Sequence, residues 1–461
     1  MYSQDIDEIL HRIENCEVGV CVIGVGTIGL PLATFLAHKG FSVRGLDISQ
    51  KRVDEINSAA VVYEYREILE KVRADEKLKA MTDPKEALTG VEMIFVCVPT
   101  PLNKNNEMDI SNLYNVANKI APFIKSGMIL IFESSVSIGT TKEIANHIEK
   151  LTGFKFGRDL GLAYCPERYN PSPMKKSKID SEYNIVAKGE NFPLDRISRV
   201  VGGVDEKSTK IAKAIYSSFI TNGVSEVSTI EAAEATKLLE NIFRDVNIAL
   251  VNELAKIMPK FGLDIFEIID AAKTKPFAFM PHYPGAGVGG ECIPVDTWYL
   301  ISQARKIGIE TKLMRMAREV NDSMPDHMIQ LLSAKLHEFG KEIKNSNITI
   351  LGLCYKKNVP DIRLSPTFVI IEKLNNMNAN LIVCDPVYAN MPCPVSLTSP
   401  VESFKNSDAV LLVTDHDAFT SIEFKDVRNQ MRTPIVIDGR NFFAKKDLTR
   451  LGFSYVAIGK P

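Results

Sequence analysis

An apolar strand that breaks into a glycine-rich turn near the N-terminus constrains the fold more than any other feature. Residues 18–23 are Val-Gly-Val-Cys-Val-Ile, and they run directly into a G-x-G-x-x-G turn. A helical pattern occupies 30–39, and a second strand pattern at 41–46 ends on Asp47. A lone G-x-G-x-x-G is a weak signal, but this one lies between a strand and a helix, with an acid about 20 residues further on. The order predicts a dinucleotide-binding βαβ unit.

Asp47 and Arg52 bear on which dinucleotide would bind. In such a unit the pyrophosphate approaches the glycine turn at the helix N-terminus. The Asp47 carboxylate would hydrogen-bond the ribose hydroxyls and repel a 2′-phosphate, which predicts NAD as cofactor. Arg52 keeps NADP as an alternative cofactor, because a nearby arginine can bind that phosphate. A glycine-rich turn without any ligand is the structural alternative.

Small polar residues follow the next strand patterns. The strands at 93–98 and 128–132 lead to Thr100 and Ser135, and ligands in open parallel sheets cross the carboxyl ends of the strands. We therefore expect both side chains to line the cofactor, with a plain strand-end turn as the alternative. A third pattern at 161–165 leads into Glu167 and Arg168, a carboxylate beside a cation at the same edge.

One long helical pattern spans residues 228–261. At 1.5 Å per residue it would be on the order of 45–50 Å long, a length typical of helices that bridge domains or form subunit interfaces. Lys237, Asn241 and Arg244 fall on one face of it. A solvated helical face is the ordinary reading of such residues, although asparagine is a poor helix former at a surface.

The segment 283–296 places four glycines around one cysteine, Cys292. Glycines allow positive φ and let a ligand approach the bare backbone. Pro294 suits the first turn of a helix over 295–306, so Cys292 would lie at a helix N-terminus, where the dipole favours a thiolate. We interpret Cys292 as a nucleophile, the alternative being a buried structural cysteine.

A second α/β pattern fills the C-terminal part, with strands at 348–353, 380–384, 409–414 and 434–437. It has no glycine triplet, so we expect no second dinucleotide there. Cations after its strands favour a phosphate-bearing ligand, unless they are ordinary surface residues; they are Lys356, Lys357, Arg363 and Arg440. The fold class is therefore predicted as α/β, with two Rossmann-like doubly wound domains joined by a long central helix and a small helical region. The predicted domains are 1–204, 205–335 and 336–461.

Composition excludes several classes of partner. The 55 basic and 57 acidic residues nearly balance, which gives no electrostatic reason to expect nucleic acid or an anionic membrane as partner. The eight cysteines show no C-x-x-C pair and the seven histidines are scattered, so we expect reduced thiols and no metal site. With no signal peptide and no apolar run long enough to span a bilayer, a soluble, cytoplasmic protein is expected.

Taken together, these motifs resemble the UDP-glucose/GDP-mannose dehydrogenase family over nearly the whole chain. The matching segments are 24–31, 98–101, 133–140, 166–168, 234–247, 284–296, 352–366 and 438–441. The resemblance implies a four-electron oxidation of the C6 alcohol of a sugar nucleotide to a carboxylate, with two NAD⁺ consumed. The length of the helical pattern at 228–261 predicts a homodimer, or a higher homo-oligomer, formed through that helix.

The resemblance implies specific residue roles. Cys292 matches the nucleophile that forms a thiohemiacetal and then a thioester, Lys237 and Asn241 match residues that stabilise oxyanions, and Asp296 and Glu167 match acid/base partners. Substrate-contacting positions, besides Lys237 and Asn241, are Arg168, Tyr169, Arg244, Tyr283, Gly289, Lys356 and Arg440. NAD positions are Gly24, Gly26, Thr27, Ile28, Gly29, Asp47, Arg52, Thr100 and Ser135, with Arg363 reaching the cofactor of a neighbouring subunit.

Residues 166–171, Pro-Glu-Arg-Tyr-Asn-Pro, resemble the branch of the family that acts on UDP-N-acetylhexosamines. Glu291 departs from that branch, which usually has histidine there. The expected substrate is UDP-N-acetyl-D-mannosamine, with UDP-N-acetylglucosamine and UDP-glucose as alternatives. Two other readings stay open: a 3-hydroxyacid dehydrogenase with a single hydride transfer, which would not need Cys292, and a non-catalytic sugar-nucleotide sensor.

Overall fold

A computed structural model describes residues 1–60, 65–169, 194–389, 391–400 and 402–461. Residues 170 and 171 of the Pro-Glu-Arg-Tyr-Asn-Pro motif lie outside them. The described residues form two compact units. The first contains residues 1–60, 65–169, 194–240 and 298–307, and the second contains 241–297 and the described residues from 308 to 461.

The first unit is built on one predominantly parallel sheet. Its described strands have the order β3-β2-β1-β4-β5-β6-β7-β8, and only β6 and β7 pair antiparallel. These strands are β1 (Gly19–Ile23), β2 (Ser42–Leu46), β3 (Leu78–Met81), β4 (Met93–Val96), β5 (Ile129–Phe132), β6 (Gly161–Tyr164), β7 (Arg199–Gly203) and β8 (Val224–Glu226). The first six strands follow the 3-2-1-4-5-6 order of dinucleotide-binding sheets. The sheet extends past residue 204, where the sequence predicted the first domain to end.

Both faces of this sheet are covered by helices, as parallel sheets require. Successive side chains of β1 alternate between two apolar clusters: Val20 and Val22 belong to one, and Cys21 and Ile23 to the other. Continuous apolar strands therefore bury both faces. The helices are Ile6–Glu14, Gly29–Lys39, Gln50–Asn57, Arg66–Ala74, Pro84–Ala87, Ser111–Ile120, Thr140–Thr152 and Glu206–Ser217.

Two further helices each contain residues of both units. The central helix, Ile230–Ile257, continues into a 3-10 turn at Met258–Phe261 and ends at Gly262, whose φ is 72°. The cysteine helix spans Ile293–Lys306, with Pro294 in its first turn. Both were predicted within two residues at the start, because uninterrupted apolar periodicity and a terminal proline mark them.

The second unit carries a parallel sheet with the order β10-β9-β11-β12-β13 among its described strands. These are β9 (Asn347–Leu351), β10 (Asn380–Cys384), β11 (Ala409–Leu412), β12 (Ile435–Asp438) and β13 (Ser454–Ala457). The order is the 2-1-3-4-5 arrangement of doubly wound folds, which place ligands where the strand order reverses, here between β9 and β11. Its helices are Ile265–Ala272, Lys312–Asp322, Met324–Glu338, Pro366–Asn376, Phe424–Val427 and Lys445–Arg450.

The predicted fold class is confirmed by the two sheets. Short 3-10 segments complete the described structure at Ala121–Phe123, Leu194–Arg196, Glu402–Phe404, Asp417–Ser421 and Arg428–Gln430. Among the helices of the described residues, none is both long and apolar enough to cross a lipid bilayer.

Candidate active site

The three glycines of the N-terminal turn serve three different purposes. Gly24 has φ +84°, and a Cβ there would lie 2.8 Å from the main-chain oxygen of Cys97. A Cβ at Gly29 would collide with the main-chain oxygen of Gly24, so this glycine lets helix and strand pack closely. A Cβ at Gly26 would meet nothing within 4 Å. The chain itself therefore does not require glycine at 26, and the open space there fits an approaching pyrophosphate.

The residues around this turn fit NAD. Thr27 is exposed and Ile28 half-buried, directly before the helix Gly29–Lys39. Asp47 accepts hydrogen bonds from the main-chain N–H of Val25, at 3.1 Å, and of Ser49, at 2.9 Å. The Arg52 Nε donates to the carbonyl of Val25 at 2.9 Å. Aspartate and arginine thus both lie against the glycine turn.

Thr100 and Ser135 join the loops that follow β4 and β5. The Thr100 hydroxyl donates to the carbonyl of Ser135 at 2.6 Å, and the Tyr299 hydroxyl donates to the carbonyl of Thr100. Both residues lie at the carboxyl edge of the sheet, as predicted. Tyr299 was not recognised in the sequence, where it is one apolar residue of the cysteine helix.

Glu167 is buried after β6 and is surrounded by donors. Its carboxylate accepts the main-chain N–H of Tyr169 and pairs with the Arg199 guanidinium at 2.9 Å. Burial alone would raise the pKa of Glu167, but the charge of Arg199 and the hydrogen bonds outweigh it and lower that pKa. The Lys237 ammonium donates to the main-chain carbonyl of Glu167. The first unit therefore brings Glu167 and Lys237 together.

The neighbours of Glu167 are held by other contacts. Arg168 donates to the carbonyl of Ser198 at 2.9 Å and pairs with Glu240 on the central helix. The Tyr169 ring is buried in the apolar core of the first unit, with its centroid 6.2 Å from that of Tyr65. Both were predicted to contact substrate, and these positions leave that prediction untested.

Cys292 immediately precedes the cysteine helix and is exposed. Its carbonyl accepts the N–H of Asp296 at 3.0 Å, which closes the first helical turn. Asp296 is buried, and its Oδ2 accepts a 2.6 Å hydrogen bond from Asn241 Nδ2 on the central helix. The second unit therefore joins Asn241, Asp296 and Cys292. All eight cysteines of the chain carry thiols rather than disulfides.

Arg244 lies one turn beyond Asn241, and its guanidinium is close enough to the Cys292 sulfur to interact with it electrostatically. Tyr355, which follows β9, also interacts with both groups. A guanidinium near the sulfur favours the thiolate form. The sequence predicted Arg244 as a substrate contact, and its proximity to the thiol adds a second possibility.

The glycines ahead of Cys292 are required mainly by protein neighbours. Gly287 and Gly290 have φ values of +134° and +83°, as the predicted positive-φ turns require. A Cβ at Gly289 would lie 2.6 Å from the Cβ of Tyr355, and one at Gly285 would collide with Arg440. At these two positions the space in which a Cβ would stand is occupied by Arg440 and Tyr355, and the predicted approach of a ligand to the backbone stays a prediction.

A polar cavity lies at the carboxyl edge of the second sheet, where the strand order reverses. Its walls are Ala286, Gly287, Tyr355, Lys357, Pro366, Val413, Thr414 and Arg440. Arg440 Nε pairs with Asp415 at 3.1 Å, and Lys357 pairs with Asp417 at 2.9 Å. Two cations at a strand edge suit a diphosphate. Lys356 precedes Lys357 in the same loop and is half-buried.

Arg363 and Tyr283 belong to the same unit as this cavity. Arg363 pairs with Asp361 at 2.6 Å and with Glu291, which immediately precedes Cys292. The Tyr283 hydroxyl donates to Asp270 at 2.7 Å, and its ring stacks on Phe266. Neither arrangement tests the predicted contacts of these residues with cofactor or substrate.

One cluster of potential metal ligands was not foreseen. Cys354, Asp385 and His416 are buried, with their ligand atoms within 4.8 Å of one another. Asp385 already accepts hydrogen bonds from the N–H groups of Leu353, Cys354, Val387 and Tyr388 and from His416. These bonds outweigh burial and lower the pKa of Asp385 to about 2. His416 Nδ1 accepts the N–H of Asn358, so the cluster holds the loop after β9.

Comparison with known proteins places these features in context. Three models of one family match the chain: the NAD binding domain of the UDP-glucose/GDP-mannose dehydrogenase family at 18–220, its central domain at 231–323, and its UDP binding domain at 349–445. Cys292 lies in the central-domain match, together with Ala286 and Gly287 of the cavity, and the other walls of the cavity lie in the UDP-binding match.

Three relatives illustrate the degree of similarity. A UDP-N-acetyl-D-mannosamine dehydrogenase of Pyrococcus horikoshii is 35% identical over 444 residues, covering 96% of this chain and 99% of that protein. A solved structure of UDP-D-ManNAc dehydrogenase from the same organism aligns with a TM-score of 0.85 at 32% identity, covering 96% and 99% of the two chains. An NDP-N-acetyl-D-galactosaminuronic acid dehydrogenase of Ralstonia nicotianae is 30% identical over 441 residues, covering 93% and 96%.

Proposed function

Because the chain belongs to the UDP-glucose/GDP-mannose dehydrogenase family, and is thus an NAD-dependent sugar-nucleotide oxidoreductase, we propose that it oxidises the C6 alcohol of UDP-N-acetyl-D-mannosamine to the carboxylate. The relatives that cover nearly all of the chain bear the name of that activity, which favours this sugar over UDP-N-acetylglucosamine and UDP-glucose. The observation that carries the proposal is the exposed Cys292 at a helix N-terminus, beside the buried Asn241–Asp296 pair.

Cys292 performs the covalent chemistry in this proposal. NAD bound at the first sheet would supply the hydride acceptor for two successive oxidations, so each sugar would yield two NADH. In the first oxidation C6 loses a hydride and its hydroxyl loses a proton, which leaves an aldehyde. The Cys292 thiolate adds to the aldehyde carbon, and the oxygen takes up a proton to give a thiohemiacetal. Loss of a hydride and a proton leaves a thioester. Water then attacks the thioester carbon, the C–S bond breaks, and the thiol and the sugar carboxylate form with release of one proton.

Buried polar residues would stabilise charge during these steps. Asn241 and Lys237 are one turn apart on the central helix, and both are buried. A buried ammonium and a fixed amide would stabilise the oxygen anions that develop on the adduct. Asp296, oriented by Asn241, would act as an acid/base partner, and Glu167 would assist thioester hydrolysis. The thiolate itself is favoured by the helix N-terminus and by Arg244.

The UDP moiety would bind at the polar cavity of the second unit. Arg440 and Lys357 face that cavity and would pair with the diphosphate, and Tyr355 offers an aromatic ring beside it. The carboxylates of Asp415 and Asp417 hold these two cations before the diphosphate arrives.

We also propose that the protein forms a homodimer through the central helix. The helix carries an exposed apolar stripe of Leu239, Phe243, Leu250 and Ile257, with exposed fractions of 68%, 44%, 53% and 42%. Their spacings of four and seven residues place them on one face. A contiguous apolar stripe of this kind marks a protein interface.

The experiment measures NADH formed per sugar with UDP-N-acetyl-D-mannosamine, UDP-N-acetylglucosamine, UDP-glucose, UDP-galactose and GDP-mannose. We expect the highest kcat/KM with the first and two NADH per molecule oxidised. Cys292→Ser should abolish carboxylate formation and keep UDP-sugar binding, while Cys393→Ser, a thiol of the same unit, should behave as the wild type. Unimpaired turnover by Cys292→Ser, one NADH per sugar, or no NADH with any of the five sugars would contradict the proposal.

A further inference from the structure

We propose that Arg199, Glu133 and Tyr216 are positioning residues that fix Glu167 in the first unit, with one proton held on Glu133. The catalytic consequence rests on the proposed function, in which Glu167 assists hydrolysis and Lys237 stabilises an anion. The four residues Glu133, Glu167, Arg199 and Tyr216 are called the Arg199 cluster below.

Arg199 holds two consecutive residues of the segment after β6. Its Nη1 donates to the carbonyl of Pro166 at 3.3 Å, and its Nη2 pairs with Glu167 Oε2 at 2.9 Å. Only 1% of the arginine side chain and 5% of the Glu167 side chain are exposed. Arg199 begins strand β7 in the interior of the sheet. A guanidinium at this position can fix both the main chain and the carboxylate of the segment.

Glu133 brings a second carboxyl group to the same cation. It follows β5, and its Oε2 lies 3.9 Å from Arg199 Nη1, with the Glu133 side chain completely buried. Its Oε1 accepts a hydrogen bond from the Tyr216 hydroxyl. Its Oε2 has no N–H or O–H donor among the residues that the structure describes, and the carboxyl groups of Glu133 and Glu167 lie close enough to share a proton in one hydrogen bond. The cluster thus contains one cation and two carboxyl groups, and all three are buried away from water.

Charge balance assigns the proton to Glu133. Glu167 has the shorter ion pair with Arg199 and an N–H donor at its other oxygen, so it is the ionised member. A second buried carboxylate with no donor at Oε2 would carry a large desolvation cost, and protonation removes that cost. In agreement, burial, the largest effect, and Glu167 together raise the pKa of Glu133 to about 8, although Arg199 opposes them.

The other titratable groups around the cluster do not supply a second cation to Glu133. The thiols of Cys97 and Cys165 and the phenol of Tyr216 have pKa values raised by burial and are neutral. The Lys237 ammonium approaches from the central helix, but it donates to the main-chain carbonyl of Glu167. Arg199 is therefore the cation that the two carboxyl groups share among the described residues.

This arrangement connects Arg199 to the reaction through Lys237. Arg199 fixes the main chain at Pro166 and Glu167, and the Glu167 carbonyl accepts the Lys237 ammonium. Removal of Arg199 would let this segment move and displace the ammonium, and displacements of about 1 Å can lower catalytic rates about a hundredfold. The cluster does not need to contact the sugar to have this effect.

The kinetic test compares Arg199→Met, Arg199→Lys, Glu167→Gln and Glu133→Gln. Arg199→Met and Glu167→Gln should lower kcat about tenfold or more and change KM less than about threefold, because the proposed contacts with the UDP group lie in the second unit. Arg199→Lys should recover part of the loss. Glu133→Gln, which mimics the protonated acid, should keep kcat within about threefold. Arg318→Met, which removes an equally buried arginine from the second unit, is the matched control for loss of a buried cation.

A second measurement follows the midpoint of denaturant unfolding as a function of pH and does not depend on the proposed function. Since the pKa of Glu133 rises from 4.5 in the unfolded chain to about 8 in the fold, the native state binds more protons between these values. Stability contributed by this group therefore falls as pH rises through this window, and Glu133→Gln should flatten the dependence.

Three results would overturn the inference. The first is a loss of kcat in Glu133→Gln as large as that in Glu167→Gln, and the second is a pH dependence of unfolding that Glu133→Gln leaves unchanged. The third is a kcat of Arg199→Met no lower than that of Arg318→Met, with both variants folded. If the wild type does not form two NADH per sugar, this result would instead contradict the proposed function. A flattened pH profile in that case would still support the proton on Glu133.

Discussion

At the scale of single residues, the glycine turn shows how one motif combines structural and ligand-related requirements. Gly24 needs its positive φ, and Gly29 needs the absence of a Cβ because the main chain of Gly24 lies against it. Gly26 is under neither constraint, since open space surrounds its Cα. A sequence motif cannot separate these roles, because all three positions read as the same letter. The contacts separate them and make each role testable.

We expect Gly26→Ala and Gly29→Ala to fail in different ways. The added methyl at 26 would occupy the space proposed for the pyrophosphate, so NAD affinity should fall about tenfold or more while the melting temperature stays within about 1 °C. The methyl at 29 would overpack the helix–strand contact and should lower stability by about 1–3 kcal/mol. Thermal unfolding measures the stability of both variants, and NADH fluorescence titration measures their affinity for the cofactor. Equal loss of stability in the two variants would contradict the assignment of Gly26 to the ligand.

At the scale of elements, apolar patterning predicted most of the strands. β1, β4 and β5 are continuous runs of apolar residues, and each was placed within two residues of its observed start. The strands β3 and β8 were missed because Lys79, Ser225 and Glu226 interrupt their short apolar patterns. β7 and β13 were missed as well, and Arg199 was missed with β7. A pairing between residues 167 and 199 depends on strand order, which no local pattern contains.

The central helix was predicted in full, and its exposed stripe supports a further prediction. Leu250→Lys places a charge in the middle of the stripe, so a dimer that buries this face should dissociate because an unpaired charge in an interface is costly. Light scattering after size-exclusion chromatography should then give the mass of one 51.2 kDa chain for the variant and of two for the wild type.

Leu151→Lys provides the control for this experiment, because Leu151 is also an exposed leucine on a helix but lies outside the stripe. We expect this variant to have the mass of the wild type. If Leu250→Lys keeps the mass of the wild type, or if the wild type is already a monomer, the central-helix interface is wrong.

At the scale of the whole molecule, the chain contains two doubly wound sheets with different strand orders, and each order reverses at its own place. In the first sheet the reversal lies between β1 and β4, beside the glycine turn. In the second it lies between β9 and β11, beside the polar cavity. Ligands of such sheets bind at these reversals. We therefore expect a dinucleotide at the first reversal and the UDP group of a sugar nucleotide at the second.

Hydrogen–deuterium exchange of the full-length protein tests this division. NAD should slow exchange in peptides covering residues 24–30 and 47–52, because it stabilises the conformations to which it binds. UDP should slow exchange at 285–290, 355–363 and 438–441, where the cavity residues lie. AMP is the matched control for UDP: it carries a nucleoside and a phosphate, but its adenosine should direct it to the first sheet. Protection of the glycine turn by UDP, or of the cavity loops by AMP alone, would contradict the assignment of one ligand to each sheet.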